Sequence, residues 1–466
     1  MTFSKAIQNT PVATTTTNGM AALESTTNPL VDLFFQSGAS RGKDIIPLFE
    51  RAFQHDPHLT ARIALWLRDA RGGAGERQLF RDILRHMEQN MPHKIMLHGI
   101  VPKVPELGRW DDLLVFETEE AQHIAYTFIE HALKVEKNGL CAKWMPRKGP
   151  KAIELRGFMG LAPKEYRQLL VGLSQVVETK MCAKKWDEIN FEHVPSLAAS
   201  RYQKAFVRNA AEAYGKFKER LVKGEAKVNA SAVYPYDIIK SLRHGGDKVV
   251  SLAQWEALPN YVGDAKILPV VDVSGSMTCS AGGSKTVSCL DVAVSLGLYL
   301  ADKNKGAFKD VFMTFSTDPK LEVLKGNLIS KMTQMEKAHW SMSTNIEKAF
   351  QAILSLAKNA NVDAADMPQY ICIMSDMQFN CVQDPSKKAI DMIRQQYEEA
   401  GYVVPKVVFW NLHAHNNVPV KFTEQDTALI SGFSPAIMKS VLSAESFTPE
   451  SIMLKTISDP RYNLHI

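Results

Sequence analysis

Apolar residues recur at helical spacing through the first half of the chain, from residue 29 to about residue 258. Recurrence at three and four residues predicts amphipathic helices, and no strand pattern interrupts them. The clearest stretches are 30–34, 45–53, 59–67, 76–88, 119–137, 163–179 and 196–222. The pattern therefore predicts an α-helical domain over residues 29–258, a succession of helix pairs like HEAT repeats but without a fixed repeat period.

After Gly263 short apolar runs alternate with helical stretches. The predicted strands are 267–273, 311–315, 370–375 and 407–412, and the predicted helices are 290–301, 346–356 and 385–400. Strands that are apolar on both faces and separated by helices indicate a parallel sheet covered on two sides. Residues 259–466 are therefore predicted to form a doubly wound α/β domain, with ligands at the carboxyl ends of its strands.

Residues 1–28 have neither pattern. They are rich in Thr, Asn and Ala, with a threonine run at 14–17. Such a segment buries too little apolar surface to offset the entropy of ordering, so it is predicted to be a flexible tail.

Oxygen-bearing side chains follow three elements of the α/β domain. Asp272, Ser274 and Ser276 stand at alternate positions where the first strand ends, Thr344 precedes a helix, and Asp376 directly follows a buried strand. Carboxylates and hydroxyls are the ligands that a hard cation such as Mg²⁺ prefers. These five residues are the candidate metal site.

With its Asp-x-Ser-x-Ser, Thr and Asp elements in this chain order, the sequence resembles the von Willebrand factor A domains and their metal-ion-dependent adhesion site. The resemblance implies that Ser274, Ser276 and Thr344 bind the ion directly. Asp272 and Asp376 would then act mainly through water, and a sixth position would be open to an acidic group of a partner protein.

A P-loop nucleotide hydrolase is the rival interpretation, because a glycine-containing loop follows the first strand and Asp376 ends another. Its phosphate cradle needs Lys directly after the second Gly, whereas Gly283-Ser284-Lys285-Thr286 inserts a residue. No other catalytic motif is present in the sequence, so a protein that is not an enzyme is expected.

A helical array followed by such a metal-site domain resembles the Ro autoantigen group, whose TROVE module is a ring of HEAT-like helices closed by a von Willebrand A domain. The resemblance implies binding of structured or misfolded non-coding RNA. The sequence is more similar still to an uncharacterised family of plants, fungi, bacteria and viruses with the same layout. That similarity is carried by residues 59–77, 143–146, 184–189, 194–196 and 201–206.

Charge is distributed unevenly along the chain. Residues 1–260 hold 36 Lys and Arg against 29 Asp and Glu, and residues 180–227 alone hold 11 against 6. Basic side chains in this stretch can neutralise phosphates, and the interleaved aromatic residues can stack on bases or pack in a core. The candidate RNA-binding residues are Lys180, Lys184, Lys185, Arg201, Lys204, Arg208, Lys216 and Lys218.

Two further motifs leave alternatives open. Arginines 68, 71, 77 and 81 surround three glycines and either grip phosphate or pair with Asp69, Glu76 and Asp82. His413 and His415 follow a strand without a Cys or carboxylate at ligand spacing, so a second metal is not expected there.

The six cysteines show no paired spacing, and no apolar run is long enough to span a membrane. A cytoplasmic protein is therefore expected. The leading hypothesis is an RNA-binding scaffold with a Mg²⁺-dependent domain, and the alternative is a metal-dependent protein-interaction module without RNA.

Overall fold

The computed structural model describes residues 10–230, 232–281, 287–315, 318–338, 345–380 and 389–464. Over these residues, a helical region is followed by a domain built on a mixed sheet. Clustering of contacts divides the chain into two compact units. The sheet unit comprises residues 1–56, 234–240 and 259–459, and the helical unit comprises residues 57–233, 241–258 and 460–466.

Short helices make up most of the chain before residue 258. Their bounds are α1 (Pro29–Ser37), α2 (Ile46–His55), α3 (Pro57–Arg68), α4 (Arg77–Met87), α5 (Met91–Ile100), α6 (Val104–Leu107), α7 (Glu119–Lys134), α8 (Gly139–Trp144), α9 (Pro150–Phe158), α10 (Pro163–Leu173), α11 (Val177–Cys182), α12 (Ser196–Asn209), α13 (Ala211–Val222), α14 (Pro235–Arg243) and α15 (Lys248–Glu256). In α4 the apolar residues between Leu79 and Met87 are buried, as the helical spacing predicts.

The stretch 196–222 is two helices rather than one. The backbone leaves the helical conformation at Ala210, which ends α12 and precedes α13. The turn allows Phe206 of α12 and Phe217 of α13 to pack with Phe191 in one buried cluster. The two short helices thus bury aromatic rings that a single straight helix would hold apart.

The sheet unit contains a six-stranded sheet in the order β5-β4-β3-β6-β7-β8. Its strands are β3 (Ile267–Asp272), β4 (Val311–Phe315), β5 (Leu321–Val323), β6 (Tyr370–Ser375), β7 (Lys406–Asn411) and β8 (Thr427–Ser431). All neighbours pair in parallel except β5, which is antiparallel to β4 at the edge. The chain runs from β3 outwards through β4 and β5 on one side and then returns to β6 on the other side of β3. The strand order therefore reverses between β3 and β6, and parallel sheets bind ligands at such a position.

The strands are apolar throughout because the sheet is buried on both of its faces. Every residue of β3 and β8 is buried, which requires cover on both faces of the sheet. The helices of this part of the chain are α16 (Cys289–Lys303), α17 (Leu328–Lys337), α18 (Ile346–Ala360), α19 (Ala389–Glu399), α20 (Met438–Ser443) and α21 (Pro449–Ile457).

Helices α1 and α2 group with the sheet, although their apolar spacing predicts that they belong to the helical domain. Ser431, the last residue of β8, donates a hydrogen bond to the Phe34 carbonyl (2.9 Å) and accepts one from the Gly38 amide (3.2 Å). A Cβ at Gly38 would lie 2.5 Å from the Ser431 hydroxyl, so glycine permits this close approach. Helical spacing alone does not reveal which apolar surface a helix covers.

The N-terminal segment also differs from the predicted flexible tail. Strand β1 (Ala13–Thr15) pairs antiparallel with β2 (Ala21–Leu23), and this N-terminal hairpin belongs to the sheet unit, where Gly19 bridges to Asn380 and Leu23 to Val418. Its threonines and asparagine are ordered by long-range hydrogen bonds, which local apolar spacing cannot signal. Residues 1–9 of the predicted tail lie outside the described residues.

Among the residues described, no helix is long and apolar enough to cross a membrane.

Candidate metal centre

Asp272 and Ser274 lie at the carboxyl end of the central strand β3. Asp272 is fully buried, and its Oδ1 accepts a hydrogen bond from the Ser274 amide at 2.9 Å. This bond turns the chain sharply after the strand, and a short 3₁₀ helix over Gly275–Thr278 follows. The turn brings Ser276 back beside Ser274 and leaves it exposed, so the site faces solvent on that side.

The two serine hydroxyls have the separation that an octahedral cation requires. Their Oγ atoms are 3.0 Å apart. Two ligands at right angles around Mg²⁺, each at about 2.1 Å, are about 3.0 Å from one another. The two hydroxyls are hydrogen-bonded to each other, and their separation equals that of two adjacent corners of such an octahedron.

Asp376 brings a second buried carboxylate to the same end of the sheet. It directly follows β6, the neighbour of β3, and is only 1% exposed. Burial and then the charge of Asp376 raise the pKa of Asp272 to about 7. Two buried carboxylates each make it harder for the other to ionise, and a bound cation would stabilise both in the ionised form.

A serine hydroxyl fixes the two acidic loops to each other. Ser375 donates a short hydrogen bond to Oδ2 of Asp272 and accepts one from the Met377 amide at 3.0 Å. The Gln378 amide then donates to Oδ1 of Asp376 at 3.1 Å. Both carboxylates are thus held in place by the protein itself.

The N-terminal hairpin holds the segment after Asp376. The Thr16 hydroxyl donates to the Phe379 carbonyl (2.6 Å), and the side chain of Asn18 donates to the Gln378 carbonyl (2.6 Å). The Gln378 side chain accepts from the Thr17 amide at 2.7 Å. Residues 16–18, which are predicted to lie in a flexible tail, therefore support the candidate site.

Four of the five predicted metal ligands, Asp272, Ser274, Ser276 and Asp376, are brought together by the fold. The fifth, Thr344, lies outside the described residues, as do Gly283 to Thr286 of the rival phosphate loop. The described chain resumes at Asn345, whose side chain caps α18.

A cluster that sequence reasoning missed lies beside this site. Cys279 and Cys289 come within hydrogen-bonding distance, with Sγ atoms 3.4 Å apart, and His413 joins them. The hydrogen-bonding contact between the two thiols, together with His413, lowers the pKa of Cys279, while that of Cys289 is raised. Cys279 and Cys289 are ten residues apart, and His413 follows more than a hundred residues later. Only the alternation of strands and loops could have suggested that the three residues meet.

The predicted RNA-binding residues fall into two groups in the helical unit. Lys185 and Lys216 pair with Glu188 (2.9 Å) and Glu212 (2.6 Å), Lys218 pairs with Asp247 (3.2 Å), and Lys180 donates to a carbonyl. The other four are exposed and have no acidic partner within 4.0 Å among the described residues, although the Arg208 side chain donates to the Lys204 carbonyl (3.2 Å): they are Lys184, Arg201, Lys204 and Arg208.

Three of those four form one face of α12, which we call the α12 basic face: Arg201, Lys204 and Arg208. Spacings of three and four residues place them on the same side of the helix. No acidic residue occurs in α12. In contrast, Phe206, Tyr214 and Phe217 are buried in one cluster and do not present their rings for base stacking, whereas Trp186 and Tyr202 are only partly buried against it.

The arginines around residues 68–81 have a structural role. Arg68 and Arg81 donate to Asp112 (both 2.7 Å), which is fully buried, and not to the acidic residues nearest in sequence. Asp69 instead accepts from Arg461 and Tyr462. Of the two interpretations, the described contacts favour internal pairing over phosphate binding.

Comparison with known proteins gives relatives without an established role. Two family models match parts of the chain, a domain of unknown function (DUF7788) over residues 266–461 and a domain of unknown function (DUF2828) over residues 16–103 and 160–266. The uncharacterized protein L728 of Acanthamoeba polyphaga mimivirus is 29% identical over 504 residues, covering 95% of this chain and 86% of that protein.

Among solved structures, the chain is similar to the Ro (RSR) protein of Deinococcus radiodurans. The match has a TM-score of 0.49 and 16% identity, and it covers 93% of this chain and 99% of that one. Similarity at this level does not transfer the role of any residue from one protein to the other.

Proposed function

We propose that the sheet unit is a von Willebrand factor A type domain that binds Mg²⁺ through Ser274, Ser276 and Thr344, with Asp272 and Asp376 acting through water. The ion would dock an acidic group of a partner protein rather than catalyse a reaction. The observation that carries this proposal is the pair of serine hydroxyls 3.0 Å apart beside two buried carboxylates. The exposure of Ser276 leaves room for a partner's carboxylate at the ion.

Direct titration tests the metal site. Calorimetry with Mg²⁺ should give saturable binding to the wild type and none to the double variant Ser274→Ala/Ser276→Ala. Thr278→Ala is the matched control, since its exposed hydroxyl in the same loop donates to the Gly275 carbonyl and not to the site. Absence of Mg²⁺ binding by the wild type at millimolar concentration would disprove the proposal.

Docking is tested with the same variants. Partners recovered with the wild type in Mg²⁺ should be lost in chelator and with the double serine variant, and retained with Thr278→Ala. Partners that are indifferent to both treatments would show that the ion is not the docking point. We also expect no ATP or GTP turnover, whereas metal-dependent hydrolysis would favour the nucleotide hydrolase.

A second function is favoured by the α12 basic face. We propose that Arg201, Lys204 and Arg208 bind RNA phosphates, and that the helical unit is a HEAT-like, TROVE-like module. Basic residues on one exposed face of a helix that contains no acidic residue, and without an acidic partner within 4.0 Å in the described part of the chain, are suited to a polyanion. The layout that resembles the Ro group points the same way.

Filter binding at two salt concentrations tests this proposal. Replacing all three residues by Gln should weaken RNA affinity at least tenfold and flatten its dependence on salt. The control, Lys185→Gln/Lys216→Gln, removes lysines already paired with acidic residues and should have a smaller effect. Equal losses in both variants would mean that only general charge is involved.

A further inference from the structure

Cys279, Cys289 and His413 form a set of nitrogen and sulfur ligands distinct from the oxygen ligands of the proposed Mg²⁺ site. One potential ligand atom from each residue lies within 4.8 Å of the other two. Cys289 is fully buried, and Cys279 and His413 are half-buried. The cluster is therefore enclosed on one side and reachable from the other.

Backbone pairing places the two cysteines opposite each other. The amide of Cys289 donates to the Cys279 carbonyl (3.0 Å), and the Ala281 amide donates to the Val287 carbonyl (2.9 Å). Between these bonds, Ser280 and Ser288 form an antiparallel bridge. Adjacent side chains on two paired strands project to the same side, which brings both thiols together before any ligand is present.

His413 reaches the pair from the end of β7. Its amide donates to the Asn411 side chain (3.1 Å), which fixes the turn after the strand. The neighbouring Leu412 carbonyl lies 3.6 Å from the Cys289 sulfur. The third ligand is thus held by a rigid strand end.

The spacing fits a tetrahedral soft cation. Two thiolates at about 2.3 Å from Zn²⁺ are about 3.8 Å apart in a tetrahedral site, compared with 3.4 Å between the Sγ atoms here. In a disulfide the two sulfurs are about 2.05 Å apart, so forming one would change the Sγ–Sγ distance more than three times as much as binding Zn²⁺ would. A disulfide would also give the imidazole of His413 no role.

Lys43 lies on the open side of the cluster. Its Nζ is 3.2 Å from Nε2 of His413 and also donates to the Ala414 carbonyl. Burial lowers the pKa of this amine. The ammonium and a metal ion would compete for the same region, so a bound ion must displace Lys43 from His413.

We propose that Cys279, Cys289 and His413 bind Zn²⁺, with water at the fourth position. The Cys279 amide donates to the Ser276 carbonyl at 3.2 Å, so the ion would brace the loop that carries the Mg²⁺ ligand Ser276. The proposal does not rest on Mg²⁺ binding, because the two sites use different residues and different ligand chemistry.

Cobalt substitution provides the test. In excess Mg²⁺, which would occupy the oxygen-ligand site, the reduced protein freed of reductant should show thiolate charge-transfer absorption in the near ultraviolet that saturates at one equivalent of Co²⁺, and Zn²⁺ should abolish it. Cys279→Ser and Cys289→Ser should each reduce that absorption, and His413→Ala should weaken Co²⁺ affinity at least tenfold. The matched control is Cys182→Ser, which removes an exposed cysteine elsewhere.

Two further variants keep the result interpretable. Lys43→Ala should tighten Co²⁺ binding severalfold, an effect that a misfolded protein would not give. Ser274→Ala/Ser276→Ala should retain Co²⁺ binding even if Mg²⁺ binding is lost or never existed, which separates this proposal from the preceding one. Absence of charge-transfer absorption in the reduced wild type, or a Cys279–Cys289 disulfide that forms in place of metal binding, would overturn the inference.

Discussion

Asp112 shows how a single buried carboxylate organises the arginines of the helical unit. Its Oδ2 accepts from Arg68 (2.7 Å) and from the Arg109 amide (3.0 Å), and its Oδ1 accepts from Arg81 (2.7 Å). The side chain of Arg68 is only 4% exposed. Loss of the carboxylate would therefore strand a buried guanidinium without its partner.

Asp112→Ala should lower the free energy of unfolding by about 3–5 kcal/mol, the usual cost of an unpaired buried charge. Urea denaturation provides the measurement. Asp82→Ala is the control, because Asp82 pairs with Arg85 at the surface, where both side chains are more than 40% exposed and the pair contributes at most about 1 kcal/mol. Similar losses for the two variants would contradict a special role for Asp112.

Gly297 sets how closely helix α16 packs on β3. A Cβ at this position would lie 2.4 Å from Cγ2 of Val271, the neighbour of Asp272. Gly297→Ala should therefore destabilise the protein by about 1–3 kcal/mol through overpacking and weaken Mg²⁺ binding by displacing the strand end. Thermal unfolding and Mg²⁺ calorimetry measure the two effects.

Gly172→Ala is the matched control for that substitution. Its Cβ would meet nothing within 4 Å in helix α10, so alanine should stabilise by up to about 1 kcal/mol. If Gly297→Ala also stabilises the protein, helix α16 does not pack against β3 as closely as the Gly297–Val271 contact indicates.

At the scale of elements, the central strands were predictable and the edges were not. The bounds predicted for β4 and β6 agree with the structure, and those for β3 and β7 differ by one residue at one or both ends, since continuous apolar runs mark buried parallel strands. Strand β5 has three residues and no apolar run, so its pairing with β4 alone defines it.

The positions of Asp272 and Asp376 at the strand ends were predictable for the same reason. Asp272 and Asp376 end buried strands, and parallel strands bring their carboxyl ends together. The Cys279–Cys289–His413 cluster depends on loop conformation, and the N-terminal hairpin depends on tertiary hydrogen bonds. Neither leaves a periodic signal in the sequence.

The N-terminal hairpin should contribute to the Mg²⁺ affinity of the metal site. Thr16→Val removes the hydroxyl that bonds the Phe379 carbonyl, in a buried place where such a loss costs about 1–3 kcal/mol. We expect a threefold to tenfold weaker Mg²⁺ affinity in calorimetry. Thr15→Val, at an exposed position of the same hairpin, should leave the affinity unchanged, and equal behaviour of the two variants would rule out this support.

At the scale of the whole molecule, the two proposed activities reside in different units. The Mg²⁺ ligands belong to the sheet unit, and the α12 basic face belongs to the helical unit. The chain passes between the units several times, so neither can be removed by a simple truncation. Point variants in the full chain are therefore the means of separating the activities.

Hydrogen exchange of the full chain should resolve both sites at once. Mg²⁺ should slow exchange around residues 272–278 and 376–380, because ligand binding suppresses local opening of the loops that hold the ion. RNA should slow exchange in α12. Asp272→Ala should abolish the first effect alone, and replacing Arg201, Lys204 and Arg208 by Gln should abolish the second alone. If either variant removes both effects, the two sites are coupled, and a scaffold with independent binding functions is the wrong description.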